Sequence, residues 1–178
     1  MRVAVFGATG RTGRLVVDEA VARHLDVSAL VRAQPPEPFE AGVSSVVVDL
    51  HDRDARATTT EVSAVMQTVV DAMRDAGLRR IVAAANAKVF THDEVTGGHA
   101  NVAAEHRRDA AILRDSALDW TILAPPSLTA DPPTGELETV IDAKGPGRSL
   151  TRGDFANALL DAIDRPDRIG HIVGITNR

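Results

Sequence analysis

Short apolar runs alternate with amphipathic stretches along the chain. Residues 3–6 are apolar without polar alternation, which is typical of a strand buried on both faces of a parallel sheet. Further strands are predicted at 27–31, 43–48, 81–85, 120–123 and, at the sheet edge, 172–175. Helices are predicted over 12–24, 61–76, 101–116 and 154–163. Strands that alternate with helices predict one doubly wound α/β domain over residues 1–178, with a mostly parallel six-stranded sheet.

The first predicted strand runs directly into a glycine turn. Gly7, Gly10 and Gly13 are three residues apart, and the amphipathic stretch 12–24 follows at once. Strand, glycine turn and helix in this order indicate dinucleotide binding, because Gly7 allows the tight turn, Gly10 lets the backbone approach a pyrophosphate, and Gly13 lets the helix pack closely. Amides at the helix N-terminus would hold the negative charge. The alternative is an ordinary strand-to-helix turn.

Prolines and glycines divide these elements. Pro35, Pro36 and Pro38 exclude a regular helix between the second and third predicted strands. Residues 51–60 are polar and predict a loop, and Gly77 is placed to end the helix over 61–76. Residues 125–147 are rich in proline and glycine, with one short apolar piece at 140–141.

The composition narrows the classes of function. A net charge of −5 disfavours a nucleic acid or a membrane surface as the main partner. The chain has no cysteine, which excludes disulfides, thiolate catalysis and cysteine-bound metal. The apolar start is too short for a signal peptide, and no apolar run approaches the roughly 20 residues of a membrane helix. We expect a cytoplasmic domain that acts on a small molecule.

Polar residues around the glycine turn favour NADP over NAD. NAD-selective sites place an acid at the end of the second strand, whereas this strand ends in Arg32, whose guanidinium can pair with a 2′-phosphate. Arg11 could reach the same phosphate, and Thr9 and Thr12 can donate to phosphate oxygens. The alternative for Arg32 is a solvated surface arginine.

Several segments, in the same order, resemble one known family. They are 3–13, 29–32, 49–50 with Asp52, 70–82, 118–123 with 125–126, and 150–155. On these segments the chain resembles the atypical short-chain dehydrogenase/reductase group with an NAD(P)H-binding domain, in the flavin/biliverdin reductase-like and nitrogen-metabolite-repressor-like branch. The resemblance implies a Rossmann-type fold. It also implies that Asp49 hydrogen-bonds the adenine amine, that Leu50 packs against its ring, and that the segment at Pro125 runs past the nicotinamide.

The chain departs from that family by a deletion. Members usually carry another helix and strand after the third strand, whereas only residues 51–60 separate that strand here from the helix over 61–76. About one strand–helix unit is therefore missing. The remaining strands can form the order 3-2-1-4-5-6. In that order the strand at 81–85 lies beside the first, and Ala84, Ala85 and Asn86 line the cofactor site. The alternative is a relative whose nicotinamide half-site is incomplete.

The second departure is chemical. Typical short-chain dehydrogenases protonate a carbonyl through a tyrosine paired with a lysine, and this chain has no tyrosine. A serine often sits where Ala85 and Asn86 stand, and many members have an arginine where this chain has Ala124. Hydride transfer to a flavin or quinone remains available, because water or a remote group can supply the proton. We therefore assign no catalytic side chain.

Polar residues after the strand at 81–85 are further candidates. Lys88, His92 and His99 lie where the substrate side of the cleft is expected, so each is a candidate substrate contact or proton donor. His99 and His106 are two turns apart on one helix, too far to share a metal without another segment. No metal site is therefore predicted. The favoured alternative is a polar loop and a solvated helix face, which includes Glu105, His106 and Asp109.

Two functions follow from these observations. The first is an NADP-dependent oxidoreductase that passes hydride to a planar acceptor such as a flavin or a quinone. The second is a catalytically silent NADP(H)-binding sensor, which the missing tyrosine, Ala124 and the deleted unit favour. A strand edge exposed by the deletion would favour a homodimer.

Overall fold

The computed structural model describes residues 1–48, 61–91 and 100–178. Its strands are β1 (Arg2–Phe6), β2 (Asp26–Val31), β3 (Val43–Val47), β4 (Arg80–Ala84), β5 (Asp119–Ala124), β6 (Ser127–Thr129), β7 (Leu137–Ile141), β8 (Ser149–Thr151) and β9 (His171–Asn177). Its α-helices are α1 (Arg11–Ala22), α2 (Glu61–Asp75), α3 (Ala100–Asp115) and α4 (Arg152–Asp161). Short 3-10 helices are Ala87–Phe90, Ala162–Asp164 and Pro166–Arg168. The predicted alternation of strands and helices is confirmed.

The strands form two main sheets. β1, β2 and β3 are parallel in that order, and Phe6 lies opposite Leu30. β4, β5 and β9 are also parallel in that order, and β7 pairs antiparallel with β9 at the far edge. β6 and β8 form a short parallel pair. The α/β fold is as predicted, but its strands do not form one six-stranded sheet.

The expected pairing of the first strand with the strand at 81–85 is wrong. Within the described residues no ladder joins β1 to β4, so the order 3-2-1-4-5-6 is broken at its centre. β4 is held by its ladder to β5 and by the Arg80 guanidinium, which donates to the carbonyl oxygens of Asp119 (2.7 Å) and Ile163 (3.0 Å). These contacts fix β4 beside β5, and the break toward β1 is consistent with a domain that lacks a strand–helix unit.

The expectation that the first strand is buried on both faces is also wrong. Val3 and Val5 are buried, whereas Ala4 and Phe6 on the opposite face are exposed. Phe6 is 41% exposed and Val46, in line with it across β2, is 42% exposed. The core cluster that α1 and α4 form with this sheet includes only the Val3 and Val5 face. The other face is therefore apolar in the sequence but only partly covered.

The strand predicted at the sheet edge lies inside the sheet. β9 runs between β5 and β7, with Ile172 opposite Ile122 and Gly174 opposite Val140. The true edge strand, β7, comes from the segment rich in proline and glycine. Four of its five residues are exposed. An edge strand with so little burial needs few apolar residues. For that reason the sequence pattern indicated only the apolar piece at 140–141, the last two residues of β7.

Helix α4 joins the two sheets. Ala156 and Leu160 belong to the core cluster of β1 and α1, whereas Phe155 and Ala158 belong to the cluster of β5 and β9. Leu159 packs against both clusters. α4 therefore fixes the sheet that carries the glycine turn to the sheet with the larger core.

A buried carboxylate holds the start of α4. Asp154 is 2% exposed and accepts hydrogen bonds from the backbone N–H groups of Thr134 (2.9 Å) and Gly135 (2.9 Å) and from Asn177 Nδ2 (2.7 Å). Thr151 Oγ1 caps the helix by accepting from the Asp154 N–H (3.1 Å). Burial raises the pKa of Asp154, but the donors outweigh it and hold the pKa at about 2.

Candidate cofactor site

The turn after β1 has the backbone geometry that its glycines predict. Gly7 has a φ of +68°, in the left-handed region that favours glycine, and its carbonyl oxygen accepts from the Gly10 N–H (2.9 Å). A Cβ at Gly10 would lie 3.2 Å from the same oxygen. A Cβ at Gly13 would lie 2.8 Å from the Gly7 carbonyl carbon and 2.9 Å from Ala8 Cα, which no real Cβ tolerates. Glycine at position 13 thus lets α1 begin directly against the end of β1.

The first turn of α1 leaves its backbone donors free for an anion. Gly10 is the N-cap without a side-chain hydrogen bond, and the first turn contains no acidic residue. Arg14 N–H donates to the Gly10 carbonyl oxygen (3.0 Å). The amides of Arg11, Thr12 and Gly13 donate to no described residue. Three unpaired N–H groups at the positive end of a helix dipole form a site that fits a phosphate.

Arg32 stands at the same edge of the sheet as the glycine turn. Phe6 lies opposite Leu30 in the parallel ladder, and Arg32 comes two residues after Leu30. Arg32 therefore lies one residue beyond the level of Gly7, at the same edge of the sheet. Its side chain is exposed and forms no hydrogen bond or ion pair with a described residue. Arg11 is exposed and equally unpaired within the described ranges. Both guanidinium groups are therefore available to a ligand at this edge.

Arg14 is a third arginine at this edge, which the sequence reasoning missed. Its guanidinium lies 5.4 Å from the centre of the Phe39 ring and donates to the Glu37 carbonyl oxygen (3.4 Å). The segment that follows β2 therefore folds back over the first turn of α1. Arg14 lies one residue after the last glycine, but no spacing rule marks an arginine at that position as a contact.

A second group of predicted residues meets at the ends of β4 and β5. Ala84 lies opposite Leu123, and the Ala85 N–H donates to the Leu123 carbonyl oxygen (2.9 Å). Pro125 is buried, and its carbonyl oxygen accepts from the Ala87 N–H (2.8 Å). Ala84, Ala85 and Pro125 are thus adjacent. They offer small apolar surface rather than donors or acid–base groups.

The side chain of Asn86 forms two hydrogen bonds that connect the segments around Ala84, Ala85 and Pro125. Its Nδ2 donates to the Pro126 carbonyl oxygen (2.8 Å), and its Oδ1 accepts from the Lys88 N–H (3.0 Å), which caps the following 3-10 helix. Asn86 therefore joins the end of β4 to the segment after β5. The side chain of Lys88 forms no ion pair with a described residue.

The two predicted groups are not joined by the strand pairing that we expected. Because β1 and β4 share no ladder in the described parts of the chain, the glycine turn and the Ala84–Asn86 segment belong to different sheets. Four further candidates lie outside the described residues, namely Asp49, Leu50, His92 and His99.

The polar residues of α3 differ from the expected solvated face. Glu105 is buried, accepts from the Ser63 N–H of α2 (3.0 Å) and pairs with Arg108. Asp109, one turn later on the same side, is also buried, and its Oδ2 lies 3.8 Å from His106 Nδ1. The expectation is wrong because this side of α3 packs against α2. Among the residues described, none form a group of three that could hold a metal ion.

Comparison with known proteins assigns the family. Residues 7–65 and 41–166 match the family described as NAD(P)H-binding. The chain belongs to the NAD(P)H-binding family. The match includes the glycine turn, Arg32 and the ends of β4 and β5, so the resemblance seen in the sequence is confirmed at this level.

One relative is UPF0659 protein YMR090W from Saccharomyces cerevisiae. It is 25% identical over 202 aligned residues, which cover 94% of this chain and 88% of the relative. The alignment therefore contains about 35 positions that have no counterpart in this chain.

Solved structures share the fold. A proposed NAD-dependent epimerase/dehydratase from Bacillus halodurans is 22% identical with a TM-score of 0.87, over 100% of this chain and 94% of that chain. A proposed NADH-flavin reductase from Streptococcus pneumoniae is 18% identical with a TM-score of 0.80, over the whole of both chains. A short-chain dehydrogenase/reductase from Veillonella parvula in complex with NADP is 17% identical with a TM-score of 0.77, over 99% and 94%. The predicted Rossmann-type fold is confirmed.

No helix among the described residues is both long enough and apolar enough to cross a membrane.

Proposed function

We propose that the protein is an NADP(H)-dependent oxidoreductase of the atypical short-chain type, which passes hydride to a planar acceptor such as a flavin or a quinone. Membership of the NAD(P)H-binding family supports the cofactor class. The observation that carries the proposal is the turn of Gly7, Gly10 and Gly13, with three amides of α1 that donate to no described residue. A dinucleotide pyrophosphate is the anion that such a turn binds.

The charges around the turn support NADP as the preferred cofactor. Arg32 directly follows β2, and positions 33 and 34 are Ala33 and Gln34, so no acid is available there for a ribose 2′-hydroxyl. Arg11 and Arg14 belong to the first turn of α1. A 2′-phosphate would meet Arg32 in a forked, charge-assisted pair, which an unphosphorylated ribose cannot form.

The absence of tyrosine supports a planar acceptor that needs no protein acid. The nicotinamide supplies the hydride when the cofactor is bound. Ala84, Ala85 and Pro125 would orient the ring and exclude water through their small apolar surfaces, whereas the proton would come from solvent. A flavin is the first acceptor to test, because the similar structure from Streptococcus pneumoniae is described as an NADH-flavin reductase.

A silent NADP(H) sensor is the second candidate. The break between β1 and β4 in the described residues favours it, because this break separates the glycine turn from the residues expected at the nicotinamide. Asn86 is committed to the Pro126 carbonyl oxygen and to the 3-10 helix, which leaves it less able to orient a substrate.

A homodimer remains a prediction, based on the missing ladder between β1 and β4 in the described residues. The two chains would meet at the edge of β1 that pairs with no described strand, and the solution mass from gel filtration with light scattering would test it.

Calorimetric titration with NADPH and with NADH is the experiment that tests the proposed function. It is followed by NADPH oxidation in the presence of FMN, riboflavin and menadione. Binding with turnover would support the reductase, and tight NADPH binding without turnover would support the sensor. Failure to bind either nucleotide would overturn both.

A further inference from the structure

A cavity of about 620 Å³ opens on the side of β5 and β9 that faces α3. Its wall comes from the 3-10 helix after β4, the last turn of α3, the starts of β5 and β9, and the loop after β7. None of the lining residues belongs to the glycine turn or to the Ala84–Asn86 segment. Cavities of this size typically hold a small organic molecule.

The floor of the cavity is apolar and rigid. Trp120 of β5 is 7% exposed and Ile172 of β9 is 5% exposed, and both belong to one core cluster. The Gly170 N–H donates to the Trp120 carbonyl oxygen (2.7 Å), which fixes the two strands to each other. Phe90 packs against the same cluster from the 3-10 helix. Within the described residues the Trp120 indole N–H has no hydrogen-bond acceptor. Trp120 and Ile172 reach the cavity with small exposed parts, and the half-buried Phe90 adds to the apolar surface, with the indole N–H as one free donor.

The rim of the cavity carries more positive than negative charge. Arg114 in the last turn of α3 and Lys144 in the loop after β7 both line it, and neither forms a hydrogen bond to a described residue. Asp142 is the acidic residue in the lining. Its carboxylate is already bound by His171 Nδ1 (2.7 Å) and by the Ile172 N–H (3.1 Å). The rim therefore carries two cations and one carboxylate, and Arg114 is near enough to Asp142 to interact with it electrostatically, which leaves one net positive charge among these three groups.

The loop that carries Lys144 is pinned in place. Asp142 adopts a φ of +54°, and its N–H donates to the Ile172 carbonyl oxygen (2.7 Å). A Cβ at Gly174 would lie 2.9 Å from the Lys144 carbonyl carbon, so the loop is pressed against β9 at a position that only glycine permits. The cavity is thus formed before any ligand arrives, which lowers the entropic cost of binding.

We propose that this cavity binds a small amphipathic organic anion. The apolar part would lie on Trp120 and Ile172, and the anionic group would lie between Arg114 and Lys144. Apolar burial supplies affinity, and the two cations select a carboxylate or a similar anion over an uncharged molecule of the same shape. The site does not depend on the proposed oxidoreductase function, because it shares no lining residue with the cofactor site.

Fluorescence can test this site directly, because Trp120 is the single tryptophan and the chain has no tyrosine. The probes are octanoate and its uncharged counterpart 1-octanol, neither of which absorbs the exciting light. We expect octanoate to change Trp120 emission saturably, with a Kd on the order of 0.1 to 1 mM, and 1-octanol to bind at least about tenfold more weakly. Calorimetry on the W120F variant should still detect octanoate.

The variant R114Q/K144Q, which removes both positive charges, should bind octanoate at least about tenfold more weakly because two charge-assisted contacts are lost, and its affinity for 1-octanol should not change. R148Q, which removes an exposed arginine outside the lining, is the matched control and should behave as the unmodified protein. Three results would each overturn the proposal: no saturable change in emission or heat, equal affinity for octanoate and 1-octanol, or full affinity in R114Q/K144Q. Competition by saturating NADPH would overturn it too, whereas failure of NADPH to bind would leave it intact.

Discussion

The sheet that carries the glycine turn and the sheet built around β5 differ in how completely they are covered. In β5 every residue after Asp119 is buried, with Trp120 and Ile122 in the cluster of α3 and Leu123 in the cluster of α4. In β1 only alternate residues are buried, and Phe6 is 41% exposed. The sheet of β5 is therefore buried on both faces, whereas the sheet that carries the glycine turn has a core on one face.

The way in which the glycine turn is held explains how a deletion elsewhere can leave it intact. The turn is built from hydrogen bonds and close contacts within residues 7–14, and its sheet is anchored through α1 and α4. None of these contacts requires a strand beside β1. The opposite face of this sheet remains partly exposed at Phe6 and Val46.

Gly13→Ala should have the largest effect, because it forces the start of α1 away from β1. The new Cβ would overlap the Gly7 backbone. We expect the free energy of unfolding to fall by roughly 2–4 kcal/mol and NADPH binding to be lost, as measured by urea denaturation and calorimetry. Gly10→Ala is the matched control: its Cβ would lie 3.2 Å from the Gly7 oxygen, so it should weaken NADPH binding with little loss of stability. A Gly13→Ala protein that binds normally would show that the turn is not the cofactor site.

Leu123→Ala and Val46→Ala test the difference in covering directly. Leu123 is fully buried, whereas Val46 is 42% exposed. We expect Leu123→Ala to cost about 3 kcal/mol of unfolding free energy and Val46→Ala less than about 1 kcal/mol, both from urea denaturation. Equal losses would mean that the face of Phe6 and Val46 is covered in solution, for example by a second copy of the chain.

The link between the sheets should depend on pH through Asp154. Its folded pKa of about 2 lies below the ordinary value of 3.8, so its contribution is complete above pH 4 and is lost as the pH falls toward 2. We expect a loss of about 2 kcal/mol over this range, measured by urea denaturation at each pH. Asp154→Asn should be less stable at neutral pH and should show a flatter dependence.

Added salt distinguishes the pH dependence that comes from Asp154 from the pH dependence that comes from exposed carboxylates. The Arg165 guanidinium lowers the pKa of exposed Asp167 to about 2 as well, but high salt screens such a pair. The Asp154 carboxylate is buried and all of its donors are neutral, so its contribution should persist at high salt. A pH dependence that disappears with added salt would assign the effect to the surface instead.

The features that the sequence predicted are local. The glycine turn lies within seven residues, and the helices follow from apolar spacing over ten to sixteen residues, so neighbouring residues determine them. The features that it missed depend on contacts between distant segments. The residues near 81–85 do not determine whether β4 pairs with β1. Likewise, Glu105 and Asp109 of α3 are buried because α2 packs against that side of the helix. Arg14 was missed for the same reason, since its neighbour Phe39 arrives from the segment after β2.

Arg32→Ala is expected to have the smallest effect, and it tests which part of the cofactor Arg32 would contact. Arg32 is exposed and forms no bond to a described residue, so its loss should leave the unfolding free energy within about 0.5 kcal/mol of the original. NADPH should bind about tenfold more weakly, because one charge-assisted contact to the 2′-phosphate is removed, while NADH binding should not change. Calorimetry with both nucleotides measures this, and Arg148→Ala is the control for the loss of an exposed positive charge. If NADPH and NADH weaken equally, Arg32 contacts a part that the two cofactors share. The selectivity for NADP would then have to come from Arg11 or Arg14.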